Sequence, residues 1–486
     1  MKGLLASLAA LAMLVACGGG SSSGTTLTTG MQSVATSGTI TAFGSVYVNG
    51  VRYDISGASL HRNGRVVVQS ALAVGEVALV RGQRSAQSGQ GVATSVDVED
   101  NVIGPIATID AAGGKLEVLG QTVLVTASTS FSKDIAPADL TGLQPGDAIE
   151  VSGFADATGA ITATRIGHAE ASDPLQVLGK VSGFDATNQM FLINGLTVDF
   201  GSASVTGFTN GAPADDDLVI VRGTSYDATA VKLTASTVVP ADTDPRHSGD
   251  GQHAESGEVE LEGLVMNFTS PTDFEVNGAK VTTTSSTTFE GGTAADLANG
   301  LRIEVRGALD ANQVLVADKI EIRRIAAVEL ESVAANVDAA NSKLQLLGVT
   351  VTVDANTRFE DRSSTQLQMF TLADVANGDT IEVRGYENPV GSGQVLATRL
   401  ERLPPSTDVQ LRGPYAATTP PQFTILGVLV DASGASFGHG EEGDQHGMPS
   451  GDFFTQAVGQ LVEVRGTLSG TTVMATTVRI ESHEDR

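Results

Sequence analysis

Two glycine-rich stretches place four of the chain's seven histidines beside carboxylates, and here side-chain type alone suggests chemistry. His247, Asp250 and His253 fall within residues 246–253, and His439, Glu441, Glu442, Asp444 and His446 within residues 438–446. Neutral imidazole suits Zn, Cu or Ni, and carboxylates add charge for harder ions. These eight residues are the candidate ligands of a divalent metal ion, the one cofactor the sequence suggests. Their spacings match no defined site, and ordering a flexible loop around an ion costs entropy. A solvated acidic insertion is the simpler reading. Asp215–Asp217 and the Asp242–Asp244 stretch lack the alternating ligands and central glycine of a Ca²⁺ loop. Gly434-Ala435-Ser436-Phe437-Gly438 has the form of a nucleophile elbow, which requires a strand-to-helix turn in a parallel α/β sheet. The next residues, His439-Gly440-Glu441-Glu442, are no helix start. An enzymatic site would have to gather His61 or His168 with carboxylates of another part of the chain. No catalytic residue is assigned, and the expectation is a protein that is not an enzyme.

Cys17 is the single cysteine, which excludes an intramolecular disulfide and a thiolate metal cluster. Before it stand Lys2 and an apolar run, Leu4 to Ala16, too short to remain in a bilayer as a spanning helix. The run ends Leu14-Val15-Ala16-Cys17, which resembles the lipobox of bacterial lipoproteins. That resemblance implies that residues 1–16 are a signal peptide and that the Cys17 thiol is acylated. Cys17 then becomes the first residue of the mature chain, and the membrane becomes a partner through its lipid. Residues 17–36, opening with Gly18-Gly19-Gly20-Ser21-Ser22-Ser23-Gly24, read as a flexible uncharged tether. Several acyl chains anchor more firmly than one. Gly18 in place of Asp resembles outer-membrane sorting, so the expected location is the cell envelope, lipid-anchored at the outer membrane.

The charge narrows the partners. Lys and Arg number 29 against 56 Asp and Glu, a net charge of −27. Such a surface repels phosphate backbones and anionic headgroups, and aromatics at 4% leave little to stack on bases. Nucleic acid is excluded as a partner; an envelope protein or a glycan is not. Hydrophobic residues at 41%, with 56 glycines and no tryptophan, fit packed cores of short strands joined by tight turns.

What must position any site is a repeat. ATIDAAGGKLEVLGQTVLVTASTSF (107–131) and ANVDAANSKLQLLGVTVTVDANTRF (335–359) share 14 of 25 residues without gaps. Two anchors recur six times: a strand-turn-strand (Val46–Ile55, Leu116–Val125, Phe191–Phe200, Phe274–Thr283, Leu344–Val353, Phe423–Ala432) and a strand ending in glycine, at Gly82, Gly153, Gly223, Gly307, Gly385 and Gly466. The period predicts modules at 37–103 (one), 104–171 (two), 172–240 (three), 257–324 (four), 325–405 (five) and 406–482 (six), with a linker at 241–256 and a tail at 483–486. Within each, strand, strand-turn-strand, a short helical stretch and two more strands come in that order. Phe131, Phe289 and Phe359, each 11 residues beyond a turn glycine, are expected to plug cores.

This order is that of the OB-fold. The expected class is therefore all-β, a tandem array of about six small OB-like five-stranded β-barrel modules, each with a short helix; small β-sandwich modules are the alternative. The G-x-I, hairpin, V-R-G and A-T-R pattern resembles a widespread bacterial lipoprotein repeat known only as a domain of unknown function, over nearly all of residues 37–482. That likeness implies the repeat and no activity. In I-E-V-R-G the Glu and Arg share a face, and Arg165, Lys319, Arg399 and Arg479 lie on the neighbouring strands. Cross-strand ion pairs on a solvent face are the expectation. The modules are expected to form a rod or compact string, split three plus three at the linker. The functional expectation is a non-catalytic binding, spacing or structural protein of the envelope, with weak divalent-metal binding as the alternative.

Overall fold

The computed structural model describes residues 31–85, 89–242, 245, 257–324, 326–439 and 447–481. The chain is all-β, and its barrels are built alike. In module two, strands Val102–Asp110, Lys115–Val118, Gln121–Leu124, Ala148–Ala155 and Ile161–His168 close a ring in the order 1-2-3-5-4-1. All contacts in it are antiparallel except that between the third and fifth strands, where Val123 pairs with Ile161. The same order recurs in all six modules, with the first strand broken at Val181 in module three and at Ala334 in module five. Residues facing inward, such as Leu116, Val118, Val123, Val151, Ile161 and Ile166, are buried, as period-2 alternation requires.

Both anchors have a local cause. At the hairpin two successive residues take positive φ, as Leu119 (49°) and Gly120 (72°) do, the geometry of a tight turn whose twist matches the strands. The glycine of V-R-G lies beside a register shift between the fourth and fifth strands. A β-carbon there would stand 2.2 Å from the Leu396 carbonyl oxygen at Gly385, and 2.0 Å from that of Val316 at Gly307. Only hydrogen fits.

The helical stretch is at the short end of the one or two turns expected. It is a single 3₁₀ turn at Gln69–Ala71, Leu140–Gly142, Ala294–Asp296 and Leu372–Asp374, and among the described residues module three has none. Reciprocal caps by Thr293 with Asp296 and Thr371 with Asp374 hold two of these turns. Among the described residues, only module six has an α-helix, Ser450–Gln456, which buries Phe453. Phe131 is buried, while Phe289 and Phe359 are half-buried against their cores.

The modules are not a string divided three plus three. Three sheets each join two modules: two with three, five with six, and one with four. The last pair joins through parallel first strands, Val34–Ser37 beside Glu258–Leu261, across more than 200 residues of chain, so residues 31–36, expected in the tether, belong instead to the first strand of module one, Met31–Ala42. Modules two and three share one core and modules five and six another, whereas modules one and four keep separate cores. The sequence could not show this, because an unpaired edge of one first strand accepts any strand of suitable register.

Candidate functional site

The repeated charges were expected on solvent-facing sheets, and four of the arginines, Arg165, Arg222, Arg384 and Arg399, reach instead into another module. Arg384 of module five donates to the Ala127 carbonyl of module two (3.0 Å), and pairs with Glu382 (2.7 Å) and Glu329 (3.4 Å). Arg399, 3% exposed, donates to the Thr129 carbonyl (2.9 Å) and pairs with Glu401 (2.6 Å). Arg222 of module three meets Glu99 (3.0 Å), and Arg62 of module one meets Glu150 of module two (2.6 Å). The solvent-face reading fails where another module's loop covers the polar outer side of the sheet, as module two's loop covers that of module five. Ser152, standing where the other modules carry arginine, accepts from the Val77 amide of module one (2.8 Å).

Modules one and four are joined by the same chemistry. Arg84 pairs with Glu258 (2.7 Å) and with Glu260, which also accepts from Thr36 (3.1 Å). Glu262 accepts from the Thr39 amide (2.8 Å) and pairs with Arg302 (2.8 Å). Burial alone would raise its carboxyl, but the guanidiniums of Arg302 and Arg323 outweigh that and lower it. Arg358 is buried at the junction of modules two and five, donating to the carbonyls of Ser128 and Thr164. Burial, with Arg302 and Arg399 nearby, pushes it down to about 9. Sequence reasoning missed Arg358, though a signal was present. The residue before the aromatic is Ser130 in module two and Thr288 in module four, and only module five has arginine there.

Of the candidate metal ligands, His439 is exposed at the end of strand Ser436–His439. His247, Asp250, His253, Glu441, Glu442, Asp444 and His446 lie outside the described residues, as does Cys17. Among the described residues no group of three or more His, Cys, Asp or Glu could hold a metal ion. His61 contacts Asp97 (2.8 Å) and His168 contacts Asp134 (2.7 Å), each a carboxylate of its own module. Ser436 opens a strand and donates to the Thr476 carbonyl (3.4 Å), so no strand-to-helix elbow forms.

Two open clefts lie on modules five and six. One, of about 540 Å³, lies on the second and third strands of module five and the 388–394 loop, lined by Asn336, Asp338, Lys343, Gln345, Thr350 and Gln394. Its polar amides, hydroxyl and charged groups can exchange hydrogen bonds with a polar ligand. The other, of about 790 Å³, lies in module six between Pro420, Pro421, Phe437 and Phe454. Phe437 there packs on Phe453 with centroids 4.9 Å apart.

Fold and interfaces together define an array of fused five-stranded β-barrels, several of whose repeated arginines join one barrel to another. The chain matches the family described as "Domain of unknown function (DUF5666)" at residues 103–167, 262–321, 332–401 and 412–479. These spans exceed half its length, and the chain belongs to that family. They fall in modules two, four, five and six, while modules one and three have the same ring without matching. No curated protein matches the chain.

Proposed function

We propose that this chain is a non-catalytic lipoprotein of the cell envelope, a body of fused OB-like barrels held at the outer membrane by acylated Cys17, which binds or spaces a protein or glycan partner. The observation that carries this reading is that several of the repeated arginines, Arg165, Arg222, Arg384 and Arg399, are engaged in joining modules rather than in a site. The polar cleft of module five, on the second and third strands beside the loop between the fourth and fifth, is the surface offered to a ligand. OB-folds commonly bind there, and the absence of an aromatic platform among its lining residues and the net charge of −27 favour a neutral glycan over a nucleic acid.

Two measurements test it. Cells fed radiolabelled fatty acid should label the chain, and Cys17→Ser should abolish the label. Titration of the purified chain with neutral oligosaccharides should give saturable heat that Gln345→Ala and Asn336→Ala reduce about tenfold, the loss of one or two hydrogen bonds. Substrate turnover by the purified protein would refute a non-catalytic role. Divalent metal binding by the two His-rich stretches is the second proposal, resting on their residue types. A Zn²⁺-, Cu²⁺- or Ni²⁺-dependent rise in melting midpoint, lost on replacing the histidines by alanine, would support it.

A further inference from the structure

Of the eleven large apolar side chains exposed among the described residues, four gather where module one meets module five. Gln368 of module five donates to the Gln69 carbonyl of module one (3.3 Å), which sets the segment of Leu367 and Met369 against that of Val66 and Val68. Val66 is 80%, Val68 68% and Met369 61% exposed. A contiguous patch of this kind marks an interaction surface, whereas apolar residues exposed singly do not.

The patch includes an open sheet edge. Strand Arg65–Val66 is the last of its sheet and pairs on one side, with Ser59–Arg62. His61 stands opposite Val66, and the Val67 amide donates to the Leu60 carbonyl (2.9 Å). Successive residues of an antiparallel ladder turn their backbone groups to opposite sides, so Val66 points its own N–H and C=O outward. Such edges are usually guarded by a charged side chain. Here the guard is drawn away, because Arg65 pairs with Asp173 (3.2 Å) and donates to the Ser172 carbonyl (3.4 Å), both of module three.

We propose that this edge pairs with the same edge of a second copy of this chain, Val66 opposite Val66 across a two-fold axis, with Val68, Leu367 and Met369 of each copy packed over the join. Charge selects the partner. Two chains of −27 repel, but module one carries five arginines against five Asp and Glu, and residues 363–370 carry no charge. Every other module has an excess of acidic residues. Two copies therefore meet at least electrostatic cost through module one, and an antiparallel edge is its own complement about a two-fold.

The full chain, in a density-matched non-ionic detergent, is followed by sedimentation equilibrium over a concentration series. The expected mass rises from one chain and stops at two, since a two-fold contact uses the edge up. Val66→Lys alone and Val66→Asp alone place like charges across the axis, so each sediments as one chain. An equimolar mixture of the two places opposite charges there and regains the two-chain mass. Met369→Glu, in the other module of the patch, also weakens pairing, while Leu468→Lys, at an exposed apolar residue of module six, leaves it intact. A wild type that stays at one chain or grows past two, Val66 or Met369 variants that pair like the wild type, loss of pairing in Leu468→Lys, or a mixture that remains at one chain while both Val66 variants melt normally would each overturn the proposal.

Discussion

The same arginine of the V-R-G motif has different work in different modules, and burial decides which. Arg384 lies among Glu329 and Glu382, and burial pushes the Glu329 carboxyl upward, so removing the guanidinium strands carboxylates with reduced solvation. Arg384→Ala is expected to cost about 3–5 kcal/mol, read as a lower urea midpoint. Arg465→Ala, at a more exposed pair, should cost under about 1 kcal/mol in the same experiment. Glu331 supplies the pH dependence. Burial, then the like charges of Glu382, Glu329 and Asp408, push its carboxyl up to about 7. A carboxyl raised in the folded state contributes stability that is full below its ordinary 4.5 and lost as pH rises through about 7. Glu331→Gln should therefore raise the melting midpoint at pH 8, by about 1 kcal/mol equivalent after allowance for solvent screening, and leave it unchanged at about pH 4. Asp361 acts at the other end. Burial would raise it, but hydrogen bonds from Arg402 (2.6 Å) and the 363 and 367 amides hold it well below the usual range. Its stability is present above its ordinary 3.8 and lost as pH falls further, so the stability optimum lies in mild acid.

At the scale of the element, the fourth and fifth strands set the tolerance of each barrel. The register shift beside Gly385 brings the Leu396 carbonyl to where a β-carbon would be, and backbone cannot swing away as a side chain can. Gly385→Ala is expected to cost about 1–3 kcal/mol, measured by thermal melting. Gly434, whose β-carbon would meet nothing within 4 Å, is the control and should lose little when replaced by alanine.

At the scale of the molecule, the crossing of chain from module one to module four makes the barrels interdependent. A chain ending at residue 256 would lose the partner strand of Val34–Ser37, both carboxylates facing Arg84, and the Glu262 acceptor of the Thr39 amide. The expected outcome is loss of hydrogen-exchange protection at the 34–39 amides and a first module that does not reach its native core. Survival of module one with full protection would mean that the barrels are stable beads and that the parallel pairing contributes little.

The amino-acid sequence by itself determined the ring. Period-2 alternation, hairpin glycines and the V-R-G anchor are local signals, and they predicted all-β barrels in six copies because each is enforced within one module. It left the length of the helical stretch open, since an Ala/Asp/Leu segment reads alike for one 3₁₀ turn or two α turns. It misplaced the charged faces for a different reason. In I-E-V-R-G the outward side of the strand is polar whether water or another module's loop covers it, and only the loop's carbonyls, contributed 257 positions away from Arg384, distinguish the two. Tertiary structure alone decided which modules pair. Six similar first strands offer similar edges, and the choice of one with four over one with two rests on Arg84 meeting Glu258 and Glu260 and on Thr39 meeting Glu262, contacts between residues that local pattern cannot bring together.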